Sequence, residues 1–301
     1  MIAVLIPCYN ESKTIEKVVM DFARALPSAN IYVYDNNSTD NTDSIAKNAG
    51  AIVKYEYRQG KGNVIRSMFK NIEADCYIMV DGDDTYPVEN AEEMCRLIIH
   101  KGYDMVIGDR LSTSYFQENK RPFHNIGNKL VRKLINLIFD SDLKDIMSGY
   151  RAFSKSFVKN IPILSKGFEI ETEMTIHALD KNFLIKEVPI SYRDRMEGSV
   201  SKLNTYQDGV KVLMTIFRLF RDYKPFVFFT FWAIIFETMA IILTLPIIND
   251  YIHTGLVPRF PSLIAAVSLA TIGVLFFFCG IILDVIQNKN KQIFELLMNK
   301  G

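Results

Sequence analysis

Three carboxylates crowd into four residues at Asp81, Asp83 and Asp84, inside the stretch "DGDDTYP" and directly after the apolar run "CYIMV". Like charges packed at the end of a buried segment repel one another, and desolvation disfavours their ionised form. A bound divalent cation relieves that repulsion, and so does a plain surface turn. The choice depends on whether other polar clusters arrive at the same place.

Four of them do. "PCYNE" follows the run "IAVLIP", "DNNSTD" follows "IYVYD", the acidic turn follows "CYIMV", and "GDR" follows "YDMVIG". Between these strand-like runs lie segments with helical spacing, such as Ile15, Val18, Val19, Phe22 and Leu26. "AIVKY" adds a further strand, and the segment after "GKG" continues as a helix. Strands alternating with helices of this length imply βαβ units and a mainly parallel, Rossmann-like α/β sheet. In such sheets ligands bind at the carboxyl ends of the strands, where all four polar loops fall.

Composition narrows the function class. Lysine plus arginine number 35 against 34 aspartates plus glutamates, so no global basic field argues for nucleic acid. Cys8, Cys76, Cys95 and Cys279 are scattered without a CxxC pair, which fits buried thiols in a reduced compartment. "MIAVLIPCYNES" lacks a basic n-region and an h-region, so it reads as a first strand and not as a signal peptide.

The C-terminal quarter differs in kind. Phe226 to Ile248 is apolar apart from Glu237 and a few threonines, and Leu263 to Leu283 carries no charge. Each run meets the roughly 20 residues that cross a bilayer as a helix. Expected spans are therefore about 226–248 and 262–286. Arg218, Arg221 and Lys224 precede the first span, and Lys289 and Lys291 follow the second. The positive-inside rule then places both outer ends and the large domain in the cytoplasm. Ala266, Ala270 and Gly273 put small residues on one side of the second helix, suited to close helix contact. Glu237, near mid-span, reads as a functional group or as an interhelical hydrogen-bonding group. Two amphipathic segments carry basic edges: Phe123 to Phe139, with Ile126, Leu130, Leu134 and Ile138 on one face and Lys129, Arg132 and Lys133 off it, and the stretch just before the first span. Both suit a membrane surface, and the first equally suits a core-packing helix. The expected organisation is a catalytic domain over 1–202, an interface helix over 203–224 and a membrane domain over 225–301.

In order along the chain, "IPCYNES", "DNNSTDNT", "GKG", "DGDDTYP", "SGYRAF", "GFEIETEM" and "RMEGSVSKL" resemble the motifs of a family 2 glycosyltransferase of the GT-A fold. More narrowly they resemble the polyprenyl-phosphate sugar synthases, the dolichol-phosphate mannose synthase group, over about residues 1 to 224. The resemblance implies an inverting hexosyltransferase that moves a hexose from a nucleotide sugar to a polyprenyl phosphate, with Mg²⁺ or Mn²⁺ as cofactor. It makes Asp81 and Asp83 the DxD metal ligands. Asp84 stands where many relatives have an apolar residue, and Thr85 where some have glutamine. By the same resemblance Pro7, Tyr9, Asn10, Glu11, Asp35, Asn37, Gly60, Lys61 and Gly82, with Asp81 and Asp83, bind the nucleotide sugar. Many relatives follow the acid after the second strand with Asp-Gly, where this chain has Asn36 and Asn37. The acceptor phosphate falls to Arg110, Arg132, Arg193, Arg195, Ser199 and Lys202. Arg110 and Glu169 join the two aspartates as catalytic residues, and Glu171 shares the acidic segment near the sugar. A phosphate acceptor has a second pKa near 6 by analogy with phosphorylated side chains, so it needs positioning cations and no protein base. His124 and His177 are alternative bases, with His177 in a helical pattern that reads as structural. UDP-hexose is slightly favoured over GDP-mannose. The sequence leaves open whether the chain forms a homo-oligomer. A rival is transfer to a hydroxyl of a lipid-linked saccharide or glycerolipid, which needs a general base such as Glu169 or Glu171. A non-catalytic partner that only binds nucleotide sugar is a second.

Overall fold

The computed structural model describes residues 1–112, 122–167, 169–193 and 205–298, in two compact units, Met1–Ile216 and Phe217–Gly301. The first unit is built on a seven-stranded sheet. Its elements run β1 (Ile2–Cys8), α1 (Ile15–Ala25), β2 (Ala29–Asp35), α2 (Thr42–Asn48), β3 (Ile52–Tyr55), α3 (Lys61–Asn71), β4 (Cys76–Met79), α4 (Ala91–Lys101), β5 (Met105–Asp109), α5 (Pro122–Phe139), β6 (Arg151–Ser154), α6 (Lys155–Asn160), α7 (Ile170–Asp180) and β7 (Ile185–Pro189). The helix α8 (Thr205–Tyr223) follows.

The sheet order is β3-β2-β1-β4-β6-β5-β7. Every pairing is parallel except the two made by β6, which runs antiparallel to both β4 and β5. The first five strands match the sequence reading. β6 and β7 are additions, and β6 separates two strands that the βαβ pattern would have made neighbours. Its four residues, "RAFS", carry no alternation to mark them as a strand. The antiparallel insertion has a functional consequence. Met79 pairs with Arg151, so the loop before β6 arrives at the same edge as the carboxyl end of β4.

Alternation along the central strands divides the core. Val4, Ile6, Cys8, Cys76, Ile78 and Val80 face one apolar cluster, completed by Val18, Val19 and Phe22 of α1 and Met94 and Ile98 of α4. Ala3, Leu5, Tyr77 and Met79 face the other, with Val64, Ile65 and Met68 of α3, Phe157 of α6 and Met174 of α7. A sheet buried on both faces needs strands apolar at every position, and β4 is buried throughout. Among the described side chains of α5, which begin at Lys129, the buried ones are Val131 and Ile135, while Leu130 is exposed. From Lys129 onwards the inward face is thus turned by one residue from the expected Leu130–Leu134–Ile138 line, because the apolar arc is broad and the helix packs on α7, while the side chain of Ile126 lies outside the described residues.

His177 lies buried in α7 against the rings of Phe157 and Phe183. Burial, with help from nearby Lys181, pushes its pKa down to about 4 from 6.5. The neutral ring is therefore the form the fold accepts. Its contribution to stability is present above pH 6.5 and is lost as pH falls towards 4, up to about 3 kcal/mol in all. Thermal melts of the purified protein should show a decline in Tm between pH 6.5 and 4.5, and His177→Leu should make that decline shallower.

In the second unit, α9 (Pro225–Thr254) and α10 (Phe260–Met298) form an antiparallel pair closed by Gly255, whose φ of +69° caps α9 in the left-handed region. Both helices are long and apolar enough to cross a membrane. They outrun the expected spans of 226–248 and 262–286, because polar residues such as "NDYIHT" continue the helix after the apolar run ends. Ala233, Ala240 and Ile247 are buried on α9, and Ala266, Gly273 and Gly280 on α10. Both sets repeat every seven residues, the period of a left-handed helix seam. Gly280 thus continues a line on which Ala270, only half-buried, does not lie. Glu237 packs on this seam: a Cβ at Gly273 would stand 2.7 Å from its carboxylate oxygen.

Candidate active site

The topology reverses between β1 and β4, since β2 and β3 extend to one side of β1 and the later strands to the other. Such switch points open a crevice at the carboxyl ends of the strands. Loops 8–14 and 80–87 flank it. Thr14 Oγ1 donates to the carbonyl of Gly82 at 2.6 Å and ties the two loops together.

Asp83 is 3% exposed, and its Oδ1 accepts the Thr85 hydroxyl at 2.7 Å. Thr85 is thus a donor that orients Asp83. Asp84 takes a φ of +57°, which swings its carboxylate to Lys17 on α1 at 2.6 Å. Lys17 also pairs with Asp21 at 3.0 Å. The extra acid of the "DGDD" run therefore belongs to an ion pair with α1. Asn10, Asn37 and Asn41 share the left-handed backbone of Asp84, all in loops at this edge. Asn and Asp tolerate that conformation better than other non-glycine residues.

Asp81 meets a lysine. Lys61 Nζ lies 2.5 Å from Asp81 Oδ1 and 2.7 Å from Glu171 Oε1. Burial alone would pull this ammonium's pKa down, but the carboxylates of Asp81 and Glu171 outweigh it and hold the group above the ordinary lysine range. The backbone fixes its position. Gly60 has φ +124°, with the Lys166 carbonyl where a Cβ would stand. Its N–H donates to Asn36 Oδ1 at 2.8 Å, and the Gly62 N–H donates to the Lys166 carbonyl at 3.0 Å. Asn36 also donates to the carbonyls of Glu56 and Arg58. The asparagine after Asp35 is therefore the brace between β2 and the loop that delivers Lys61.

The two acids of "EIE" are two residues apart at the start of α7, about half a helical turn, so they point to different sides. Glu171 reaches Lys61, whereas Glu169 accepts the N–H groups of Lys166 and Gly167 at 3.2 Å and folds back on its own loop. Glu173 accepts those of Leu164 and Ser165. The structure thus brings Glu171, and not Glu169, to Asp81.

Arg110, 8% exposed, is held by Asp145 through Nε at 2.7 Å and Nη2 at 3.0 Å, between the rings of Tyr86 and Tyr192. The buried Tyr86 hydroxyl accepts from Arg110 and from the Gly149 N–H, and burial raises its pKa. Gly149 is pressed against Asp81: a Cβ there would stand 2.5 Å from Oδ2. Behind it, Arg151 is fully buried and donates to the carbonyls of Ser148 and Ile146 and to Thr175 Oγ1. Sequence reasoning named neither Tyr86, Asp145 nor Arg151 as site residues. Only their place in "DGDDTYP" and "SGYRAF", or a lone acid 35 residues from Arg110, hinted at them.

On the other side of the crevice, the loop after β1 is fastened to the loop after β2. Asn10 N–H donates to Ser38 Oγ, Glu11 N–H to Thr42 Oγ1 and Ser12 N–H to Asp40 Oδ2. Asp35, 4% exposed, accepts Ser38 N–H on Oδ1, while its buried Oδ2 has no hydrogen-bond partner among the described residues. Asn37 is turned to the loop of Tyr57 and Gln59, Tyr9 is half-exposed, and Pro7 lies within β1. Of the expected acceptor residues, Arg193 donates its N–H to the Thr85 carbonyl and pairs through its side chain with Glu89. Arg132 is half-buried on α5. Arg195, Ser199 and Lys202 lie outside the described residues, as does the side chain of His124.

Among the described residues, no three acidic, histidine or cysteine side chains converge on one point. Asp81 and Asp83 lie two residues apart on the loop after β4 and are hard oxygen donors. Such a pair suits Mg²⁺ or Mn²⁺, which keep coordination positions for substrate phosphates.

The model of the family described as glycosyl transferase family 2 matches residues 3–161, from β1 to the end of α6. The chain belongs to glycosyl transferase family 2. Over 97% of its length this glycosyltransferase is 33% identical to the glycosyltransferase AglJ of Haloferax volcanii, covering 95% of that protein. It is 28% identical to the dolichyl-phosphate hexose transferase of the same organism over 72% of this chain and 93% of that one. Among solved structures, its fold resembles that of glucosyl-3-phosphoglycerate synthase from Mycobacterium tuberculosis in complex with UDP. The TM-score is 0.60 at 20% identity, over 73% of this chain and 80% of that one. The fold of the glycosyltransferase is accordingly GT-A, followed by two apolar helices.

Proposed function

We propose that this glycosyltransferase moves a hexose from a nucleotide sugar to a polyprenyl phosphate, with inversion at the anomeric carbon. The observation that carries the reading is the ion pair of Asp81 with Lys61 at the switch point of the sheet, two residues before Asp83 on the same loop. An acid pair beside a fixed cation suits a departing diphosphate, whose growing negative charge must be met in the transition state.

Asp81 and Asp83 would hold Mg²⁺ or Mn²⁺, which supplies Lewis-acid charge to the diphosphate when bound. Thr85 keeps Asp83 in one orientation, and Gly149 admits Asp81 to the crevice by having no side chain. Pro7, Tyr9, Asn10, Glu11, Asn37, Gly60 and Gly82 line the nucleotide path in this reading. Asp35 reads the base. Its Oδ1 is taken by Ser38, so one buried oxygen is left to accept a hydrogen bond. A uracil imide offers a single N–H, whereas the guanine edge offers adjacent donors that need a paired acceptor. This supports UDP over GDP.

The acceptor phosphate is assigned to the cations Arg110, Arg132, Arg193, Arg195 and Lys202 with Ser199. Arg110 is held in place by Asp145 and Tyr86, which fixes its positive charge for an incoming phosphate in this reading. A dianionic phosphate attacks without a protein base. Glu171 is engaged by Lys61 and Glu169 by its own loop, which disfavours the rival in which either acid deprotonates a hydroxyl acceptor. The basic flanks of α9 and α10 support a catalytic unit on the cytoplasmic side.

Mass spectrometry tests the proposal. The purified protein, with Mn²⁺ or Mg²⁺, polyprenyl phosphate and a panel of nucleotide sugars, should yield one sugar monophospholipid and release a nucleoside diphosphate. Absence of product with every donor, alongside ion-dependent donor binding, would overturn the phosphate acceptor in favour of a hydroxyl one.

A further inference from the structure

Lys61 touches two carboxylates with different surroundings. Asp81 faces the crevice with 26% of its side chain exposed, whereas Glu171 is 6% exposed behind it. The lysine Cα cannot withdraw, because Gly60 is bound to Asn36 and Gly62 to the Lys166 carbonyl on either side. Its ammonium has three rotatable donors on a flexible stem, so it can shift its weight from one acid to the other without moving the backbone. Any divalent cation that draws on Asp81 meets this ammonium on the same carboxylate, and two cations on one carboxylate repel.

We infer that Lys61 couples ion binding to nucleotide binding, with Glu171 as the positioning residue that makes the coupling reversible. Lys61 competes with a divalent ion for Asp81, gives it up by leaning on Glu171, and then offers its charge to the diphosphate that arrives with the ion. The ion alone is held weakly, and ion and nucleoside diphosphate tighten each other by the same factor, as linkage requires. This inference rests on the reading of Asp81 and Asp83 as the ion-binding pair.

The test is a titration of the full chain in detergent with Mn²⁺ alone, and then with Mn²⁺ in the presence of UDP. It is followed by electron paramagnetic resonance of the free ion, with no sugar or acceptor present. Lys61→Met should bind Mn²⁺ alone about 10-fold more tightly than the wild type, and UDP should tighten it by a smaller factor than in the wild type. Glu171→Gln should bind Mn²⁺ alone more weakly, since the ammonium then rests on Asp81 only. It also decides the question if Lys61→Met fails to fold. Equal or weaker Mn²⁺ affinity in Lys61→Met, or unchanged affinity in Glu171→Gln, overturns the inference. Asp83→Asn separates this failure from that of the underlying reading. If Asp83→Asn loses Mn²⁺ while Lys61→Met gains none, only the coupling falls. If Asp83→Asn binds Mn²⁺ as the wild type does, both fall.

Discussion

Asp83→Asn is expected to lower sugar transfer by about three orders of magnitude, roughly 4 kcal/mol of transition-state stabilisation. The exchange keeps the size of the side chain, and the amide oxygen can still accept from Thr85 Oγ1. What disappears is one negative charge at a position 3% exposed, where water cannot replace it. Asp84→Asn provides the contrast. Its carboxylate is turned by a left-handed backbone onto Lys17, and removing that charge breaks a partly exposed ion pair. Such pairs contribute about 1 kcal/mol or less, so transfer should change by less than about fivefold. Thr85→Val lies between the two. It leaves both acids in place and removes the donor that orients Asp83, and second-layer partners of this kind typically change ion affinity by about 10- to 100-fold. Steady-state assays at several Mn²⁺ concentrations distinguish the three variants: Thr85→Val should recover at high Mn²⁺, and Asp83→Asn should not. Full activity in Asp83→Asn would remove the acid pair from the mechanism.

Arg151→Met is expected to destabilise the first unit by about 3 kcal/mol and to cut transfer by about 100-fold. Two effects oppose one another. Arg151 is fully buried, and desolvation lowers its pKa to about 10 from 12.5. Folding therefore strains against this charge by about 3 kcal/mol, which the substitution relieves. Against that, the guanidinium is the donor to the Ile146 carbonyl at 2.5 Å, the Ser148 carbonyl at 2.9 Å and Thr175 Oγ1 at 2.8 Å. Each buried acceptor left without a donor costs about 1–3 kcal/mol, so the loss of three outweighs the relief. The loop they belong to carries Gly149, which abuts Asp81 and donates to Tyr86. A displacement of about 1 Å in such a contact can cost about 100-fold in rate. Circular dichroism melts should show Tm lowered by about 10 °C. Arg151→Lys should not restore it, because one ammonium cannot reproduce the planar fork that meets three acceptors. An unchanged Tm in Arg151→Met would mean that the buried charge had cancelled its own hydrogen bonds.

The first five strands, the helices between them and the apolar C-terminal pair were legible because each rests on local periodicity. β6 was not. "RAFS" is too short for a pattern, and its place between β4 and β5 depends on pairing across the sheet. The same limit applies to the two acids Glu169 and Glu171. They are two residues apart, and only the docking of α7 turns one to Lys61 and the other onto its own loop. Asn36 stood out in the sequence as a departure after Asp35. Its role as a brace for Gly60 appears only when β2 and the loop before α3 are side by side.

The sequence by itself determined the kind of protein: an α/β sheet with polar loops at one edge, an acidic pair among them, and two apolar helices after it. Composition, period and motif order are properties of the chain read in one dimension, and burial enforces them wherever the chain folds. Only the tertiary structure decided which charges meet. Lys61 with Asp81 and Glu171, Asp84 with Lys17, and Arg110 with Asp145 are each separated by 20 to 110 residues in the chain. Coulomb energy depends on distance in space and on the surrounding dielectric, and neither is written in sequence spacing.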